Sequence, residues 1–282
     1  MKKVLVLFAA VIAALNVSAW EYENPGFEWS AGAEVTSAYL WRGMRYGGFA
    51  FQPDASVGYG GLNLEAWANL SPKDWSFKEF NPELDLTLSY SIAGLTVGAT
   101  HYYYFDGTRF FDYRKPTLEA YEAEEYATNQ TEVFAKFELG ELMEKFPLTV
   151  MWSTFVGGDD WKELYEDPED EEKLTGLKRA YSSYLEVSYD FELPLGFSIT
   201  PTVGMTPWAS FYNFYEDKFS VNNVSLKLNW ELGIKDIIAL DVYGIAMLNT
   251  SGINKDNVWP SVSNSYNNQR LNLAVGVGIW IN

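Results

Sequence analysis

Carboxylate side chains recur at alternate positions within apolar runs of this 282-residue chain. In residues 83–92, Glu83, Asp85 and Thr87 alternate with leucines. Carboxylates held side by side in this way attract cations and repel anions. An apolar core would leave them buried and unpaired at a large cost in free energy, whereas a water-filled interior accepts them. The pattern therefore predicts a wet, ion-attracting surface.

The same alternation places further charged residues on the polar faces of other strand-like runs, and together they form a predicted pore lining. They number nine acids and three bases, so the predicted interior is negative. An alternative is that these residues form ion pairs and plug the interior. The predicted pore-lining residues are Glu34, Arg42, Asp54, Glu65, Glu83, Asp85, Glu132, Lys136, Glu186, Asp190, Lys227 and Asp241.

His101 is the only histidine and hence the one candidate for a Ser-His type of catalysis. Its parity within residues 95–104 matches Leu95, Val97 and Tyr103, which are on the predicted outer face. No Ser or Asn is two residues away, as a barrel lipase or deacylase would place it. We interpret His101 as part of an aromatic girdle at a membrane boundary and expect no enzyme activity.

An acidic cluster follows the seventh strand-like run. Carboxylate oxygens suit Ca²⁺ or Mg²⁺, but the cluster lacks the ligand spacing and central glycine of an EF-hand loop. We expect a solvated acidic loop, with a weak divalent-cation site as the alternative. The candidate ligands are Asp159, Asp160, Asp167 and Asp170.

The elements that position these side chains are runs of about ten residues that are apolar on one face and polar on the other. Successive side chains of a strand point to opposite faces, and a strand of this length and pattern is typical of a transmembrane barrel. The sequence predicts an all-β, antiparallel, up-and-down transmembrane barrel of about twelve strands. The predicted strands are residues 33–42, 49–59, 62–70, 83–92, 95–104, 131–139, 148–155, 181–191, 197–205, 221–230, 238–248 and 271–282.

The connections between these runs alternate in length. Tight ones at 60–61, 93–94 and 192–194 are predicted to be periplasmic turns, and the alternate ones are predicted to be extracellular loops. Two connections depart from this pattern, because 140–147 is a longer turn and 44–48 a short external loop. The predicted long loops are residues 71–81, 106–129, 157–179, 208–220 and 249–269.

Composition and the first residues indicate export. Lys2 and Lys3, an apolar run over 4–15 and Val17-Ser18-Ala19 predict a signal peptide over 1–19 that is cleaved after Ala19, leaving a barrel over 20–282. Removing both lysines takes the formal charge from -18 to -20, which argues against nucleic-acid partners. The chain has no cysteine, which excludes disulfides and thiolate sites, and we expect no cofactor.

Three short segments resemble a known family, the TorF-like porins, also called Gcw conserved hypothetical proteins. The segment Thr36-Ser37-Ala38-Tyr39-Leu40-Trp41-Arg42-Gly43 is similar to the opening strand of that family. Glu83-Leu84-Asp85-Leu86 and Thr131-Glu132-Val133-Phe134 resemble later strands. The resemblance covers the first half of the chain best and implies a barrel and a pore.

These observations favour a porin-like channel in a bacterial outer membrane, passing small neutral or cationic solutes. We expect outer-membrane lipids, lipopolysaccharide and small solutes as partners, while the oligomeric state stays open. Two alternatives remain. One is a non-transporting surface barrel that binds a partner, polysaccharide or divalent cations through its acidic loops, and the other is a lipid-modifying barrel enzyme.

Overall fold

The structure, a computed structural model, describes residues 26–72, 79–143, 145–166, 173–234, 238–249 and 271–281. The signal peptide expected over 1–19 lies outside these residues and stays a prediction. In the described part of the chain, no helix has the length and apolar character needed to cross a membrane.

Twelve long strands, labelled here β1 to β12 in chain order, carry the fold. The eighth is interrupted at Asp190 and so has two segments. The strands are β1 Phe27–Thr36, β2 Ala50–Tyr59, β3 Leu62–Pro72, β4 Phe80–Ile92, β5 Leu95–Tyr103, β6 Gln130–Glu138, β7 Leu148–Gly158, β8 Ser183–Tyr189 with Phe191–Leu193, β9 Phe197–Thr206, β10 Ser220–Ile234, β11 Ile238–Leu248 and β12 Leu271–Ile281.

The strands close into a barrel. Each pairs antiparallel with its neighbours in sequence, and β1 also pairs with β12, with Val35 opposite Val277. The β8 strand pairs with both β7 and β9, so no edge is left. This arrangement confirms the predicted antiparallel barrel of twelve strands, and closure satisfies the backbone hydrogen bonds that a membrane leaves without water.

The outer wall is apolar and the inner wall is polar, as the period-two pattern predicts. In β12, Val275 is 64% exposed on the outside, whereas Ala274 is 5% exposed on the inside. Leu271, Leu273 and Ile279 share the outer face of Val275. An apolar belt around a closed barrel is stable against lipid hydrocarbon, which places this protein in a bacterial outer membrane.

The two walls are expected to respond differently to a charge. We expect Leu86→Arg, in the outer wall of β4, to lower the free energy of unfolding by about 2–4 kcal/mol in lipid vesicles, because it puts a guanidinium against hydrocarbon. Thr87→Arg, one residue on and facing the interior cavity, is the matched control and should cost far less. Equal losses in urea titrations of the two variants would contradict the assignment of the walls.

The connections differ at the two ends. At the end we assign to the periplasm, Gly60-Gly61 and Ala93-Gly94 form two-residue turns, and Pro194–Gly196 forms one 3-10 turn. At the extracellular end, residues 104–129 include the short helix α1 (Leu118–Glu122), and residues 159–182 include a hairpin of Trp161–Tyr165 and Leu174–Arg179. Odd-numbered strands therefore lead into the long loops.

The first predicted strand, over 33–42, was too long at its carboxyl end. β1 stops at Thr36, which is opposite Ala50 of β2. Residues 37–49 leave the wall and form a small hairpin of Leu40–Trp41 and Met44–Arg45. Arg42 is therefore not on a barrel strand, and 44–48 is not a short external loop.

Candidate functional site

Residues 37–49 form what we call the lumenal hairpin, because it folds into the barrel. Its tip is Arg42-Gly43, whose φ angles of 47° and 89° match a two-residue turn with both central residues left-handed. Glycine is required at position 43, since an added Cβ would collide with the carbonyl oxygen of Asn222 on β10. The tip of the lumenal hairpin therefore contacts the inner side of β10.

Arg42 crosses the interior and forms an ion pair with Glu132 of β6. Its two terminal nitrogens donate to the two carboxylate oxygens of Glu132, each at 2.8 Å. The side chains are only 8% and 3% exposed. The Tyr102 hydroxyl donates a further hydrogen bond of 2.7 Å to Glu132, and Arg42 also donates to the Tyr212 hydroxyl oxygen. The bidentate geometry fixes the hairpin to the opposite wall.

Tyr212 belongs to a second segment that turns inward, the 3-10 helix Phe211–Asn213 between β9 and β10. The backbone N–H of Ser210 donates to the Asn213 side-chain oxygen at 2.9 Å. The Asn213 amide in turn donates to the carbonyls of Trp208, Glu216 and Lys218. These bonds hold Phe211 and Tyr212 inside the barrel, where both are buried.

The two inward segments meet on aromatic side chains, which we call the aromatic plug. The Trp41 ring centroid is 5.6 Å from that of Tyr212 and 5.8 Å from that of Tyr102. The Arg42 guanidinium carbon is 4.4 Å from the Trp41 ring centroid. Such contacts are favourable for a desolvated guanidinium. The plug residues are Trp41, Tyr102, Phe155, Tyr184, Phe211 and Tyr212.

A cavity of about 520 Å³ adjoins the plug inside the barrel. Its charged lining consists of four acids and two bases, so its wall is negative. The aromatic rings of Trp67, Phe134 and Tyr243 also face it. The charged lining residues are Glu34, Glu65, Asp85, Glu132, Arg42 and Lys227.

Strand register sets the positions of the inward acids on β2 to β4. Asp54, Trp67 and Asp85 are directly opposite one another across β2, β3 and β4. Glu65 is two residues from Trp67 on the same face of β3 and is opposite Thr87 of β4. Side chains opposite each other on neighbouring strands are in contact range. An indole ring is therefore bordered by carboxylates on one side of the cavity.

The predicted bases are held close to acids or rings. Lys136 forms an ion pair of 2.9 Å with Glu138 on its own strand. The Lys227 amine is 4.5 Å from the ring centroid of Tyr243, whose hydroxyl donates to Glu34. Arg42 forms its ion pair with Glu132 on β6 and not with an acid of β2 to β4.

The remaining predicted acids also point inward, some of them outside the cavity. Asp54 accepts a hydrogen bond of 2.9 Å from the Trp280 indole, and Glu83 is buried on the inner face of β4. Glu186 accepts a bond of 2.8 Å from Tyr184 within the plug. Asp190 accepts from Thr200, and Asp241 is 3.5 Å from the Asn229 amide, both close to the periplasmic end.

His101 faces outward, as its parity predicts, but it is only 5% exposed. Its low exposure has a local cause, because the loop after β5 folds back over it and packs aromatic rings against it. His101 Nε2 donates to the Phe110 carbonyl at 2.6 Å, and Nδ1 is 2.8 Å from the Thr131 hydroxyl. The Phe111 ring covers it at 4.6 Å between centroids. These contacts fix the loop to the outer wall.

Asp159 and Asp160 are buried at the base of the external hairpin. Asp160 accepts a hydrogen bond of 2.9 Å from the Ser182 backbone N–H. Burial and the adjacent Asp160 raise the pKa of Asp159 to about 7. Asp167 and Asp170 lie outside the described residues. Within the described ranges, no group of three or more His, Asp or Glu side chains is arranged to hold a metal ion.

Comparisons with known proteins add a likeness of fold. No family model and no curated protein matches the chain. A NanC porin structure aligns over 90% of this chain and 100% of its own, with 10% identity and a TM-score of 0.44. An outer-membrane channel from Pseudomonas putida F1 aligns over 94% and 99%, with 12% identity and a TM-score of 0.41.

A third structure, the Pseudomonas putida toluene transporter TodX, aligns over 97% of this chain and 93% of its own, with 9% identity and a TM-score of 0.33. Because these identities and TM-scores are low, the class of the protein is assigned from the closed barrel and its apolar belt. On those grounds the chain is an outer-membrane β-barrel protein. The resemblance to the TorF-like porins remains a prediction from the sequence.

Sequence patterns missed the aromatic plug, although one signal of it was present. Arg42-Gly43 between Leu40-Trp41 and Met44-Arg45 is a two-residue hairpin signal, and glycine in its second position favours the required backbone. Alternation continues from β1 through this hairpin, so period alone cannot separate them. The inward turn of Phe211–Asn213 had no comparable signal.

Proposed function

We propose that this protein is a passive outer-membrane channel for small neutral or cationic solutes, narrowed near its extracellular end by the aromatic plug. The observation that carries the proposal is the cavity of about 520 Å³ inside a closed barrel, lined by charged residues with acids in excess. A barrel of twelve strands is wider than the eight-stranded barrels that side chains can fill. Its interior therefore has room for water and small solutes.

Charge supports the cationic part of the proposal. Arg42 and Lys136 are neutralised by Glu132 and Glu138, respectively. With Arg42 paired to Glu132, the cavity lining keeps three acids, Glu34, Glu65 and Asp85, against the single base Lys227. A low-dielectric wall concentrates such a field and raises the local concentration of cations.

We expect the Glu83→Gln, Asp85→Asn double variant to lose much of its cation preference, because it removes two charges from the inner face of β4. The reversal potential under a KCl gradient across planar bilayers should move toward zero. For the unmodified protein, the preference should weaken at 1 M salt, where the Debye length is about 3 Å.

The matched control is Glu122→Gln, Glu125→Gln, which removes two charges from exposed positions in the loop after β5. It should keep the reversal potential of the unmodified protein. A double variant on β4 that keeps its full preference would contradict the assigned selectivity. Absence of any conductance from folded protein would refute the channel itself.

A surface barrel that transports nothing is the second candidate, and the aromatic plug is the observation that favours it. Trp41 and Tyr212 close on each other from two different loops, and Arg42 ties them to β6. The long acidic loops of such a barrel would bind a partner molecule, a polysaccharide or divalent cations. The conductance measurement distinguishes the two functions, because only the channel passes current.

We also propose which lipids surround the barrel, how the chain is exported and to which family it belongs. The apolar belt would contact outer-membrane lipids, with lipopolysaccharide around the extracellular loops. The signal peptide over 1–19, the barrel domain over 20–282 and membership of the TorF-like porins belong to the same proposal. We assign no catalytic role to His101, because its ring is covered by Phe110 and Phe111.

A further inference from the structure

The carboxyl groups on β2 to β4 have no cation of their own among the described side chains. Among the described residues, Asp54, Glu65 and Asp85 form no ion pair within 4 Å, while Arg42 and Lys136 are each paired elsewhere. Asp85 Oδ1 is buried and has no hydrogen-bond partner in the described part of the chain. Glu65 and Asp85 both line the cavity, so a cation bound there would supply the counter-charge that they lack.

Trp67 adds an indole ring to the acids on this side of the cavity. It is directly opposite Asp54 on one neighbouring strand and Asp85 on the other. The Tyr39 ring, 5.5 Å away between centroids, packs beside it. The face of an indole attracts cations, and Trp is the best of the aromatic side chains in this respect. Carboxylate and indole together favour a cation that also has an apolar part.

Size points in the same direction. The cavity volume of about 520 Å³ is within the usual range of sites for small organic ligands. A small inorganic cation needs several oxygen ligands close together and makes no use of an indole face. An alkylammonium ion can pair with the Asp85 carboxyl group, which lines the cavity, while its carbon chain contacts Trp67.

We propose that the Trp67–Asp85 side of the cavity, with Glu65 beside it, is a binding site for small organic ammonium cations. This inference rests on the proposed function, because it names the solute class that the channel would hold in transit. Lys227 and Tyr243 line the other part of the cavity, where the Tyr243 hydroxyl donates a hydrogen bond to Glu34. Lys227 already supplies a cation there, which disfavours a second one.

The test is isothermal titration of the full chain, folded in detergent, at constant ionic strength. The probe is n-butylammonium chloride, with n-butanol as the neutral analogue and KCl as the inorganic cation. We expect heat from butylammonium and little from the other two. Asp85→Asn, which keeps the shape of the side chain, should weaken binding by about tenfold or more, since it removes a charge-assisted hydrogen bond.

Trp67→Leu is the second variant and should weaken binding roughly fivefold, because it removes the indole face but keeps an apolar side chain. The matched control is Asp241→Asn, which removes one inward carboxylate that does not line the cavity. It should bind as the unmodified protein does. Circular dichroism confirms that each variant is folded before titration.

Two results would overturn this inference. One is equal binding of K⁺ and butylammonium, and the other is equal weakening by all three variants, since either would show only a general negative field. The channel proposal is judged separately by conductance. Current without butylammonium binding would refute the site and leave the channel intact, whereas binding without current would support the site and refute the channel.

Discussion

Removal of the lumenal hairpin is expected to raise single-channel conductance several-fold. Thr36 of β1 is already opposite Ala50 of β2, so replacing residues 38–48 with Asn-Gly would join Ser37 to Phe49 through a two-residue turn. The variant keeps every barrel strand but loses Trp41 and Arg42, and with them the contacts of the hairpin to Glu132, Tyr102 and Tyr212. Planar-bilayer recordings at fixed KCl concentration measure the change.

The control shortens a different hairpin, the external one after β7. Replacing residues 162–178 with Asn-Gly removes most of the external hairpin of Trp161–Tyr165 and Leu174–Arg179. Its conductance should stay close to that of the unmodified protein. If both variants conduct like the unmodified protein, the lumenal hairpin does not limit flow, and the plug is not a constriction.

Arg42→Ala is expected to lower the free energy of unfolding by about 3 kcal/mol, because it leaves the Glu132 carboxylate buried without its cation. Breaking a buried pair costs up to about 5 kcal/mol. We expect the lower end of the range, since the adjoining cavity can admit water to Glu132. Urea titration of the barrel in lipid vesicles gives the difference.

Two further variants test the cause of this loss. Lys173→Ala breaks an exposed pair with Glu166 and should cost less than about 1 kcal/mol. Arg42→Ala combined with Glu132→Gln should recover part of the stability, because the unpaired charge is then gone. If Arg42→Ala alone is as stable as the unmodified protein, the ion pair does not hold the hairpin in place.

Much of the fold could be predicted from the sequence because a strand has a side-chain period of two. Leu273 and Val275 had to face one medium, and Asn272 and Ala274 the other, whatever their neighbours were. The same period placed Glu65 and Asp85 on the inner wall before any pairing was known. The cavity between them also depended on strand register, which single strands do not specify.

Burial of His101 shows where local patterns stop. Its parity correctly gives the outer wall, but Phe110 and Phe111 arrive from a loop whose path has no period. For the same reason, the partners of Asp159 and Asp160 could not be predicted. Loops take their conformation from contacts with distant residues, and those contacts exist only after the barrel has closed.

The sequence by itself determined the number of strands, the apolar outside, the polar inside and the excess of acids, since each follows from side-chain type and a fixed repeat. Only the tertiary structure decided that residues 37–49 leave the wall and that Arg42 meets Glu132, five strands away. The same alternation runs through β1 and the hairpin. What separates them is whether β2 and β12 are there to accept the backbone hydrogen bonds.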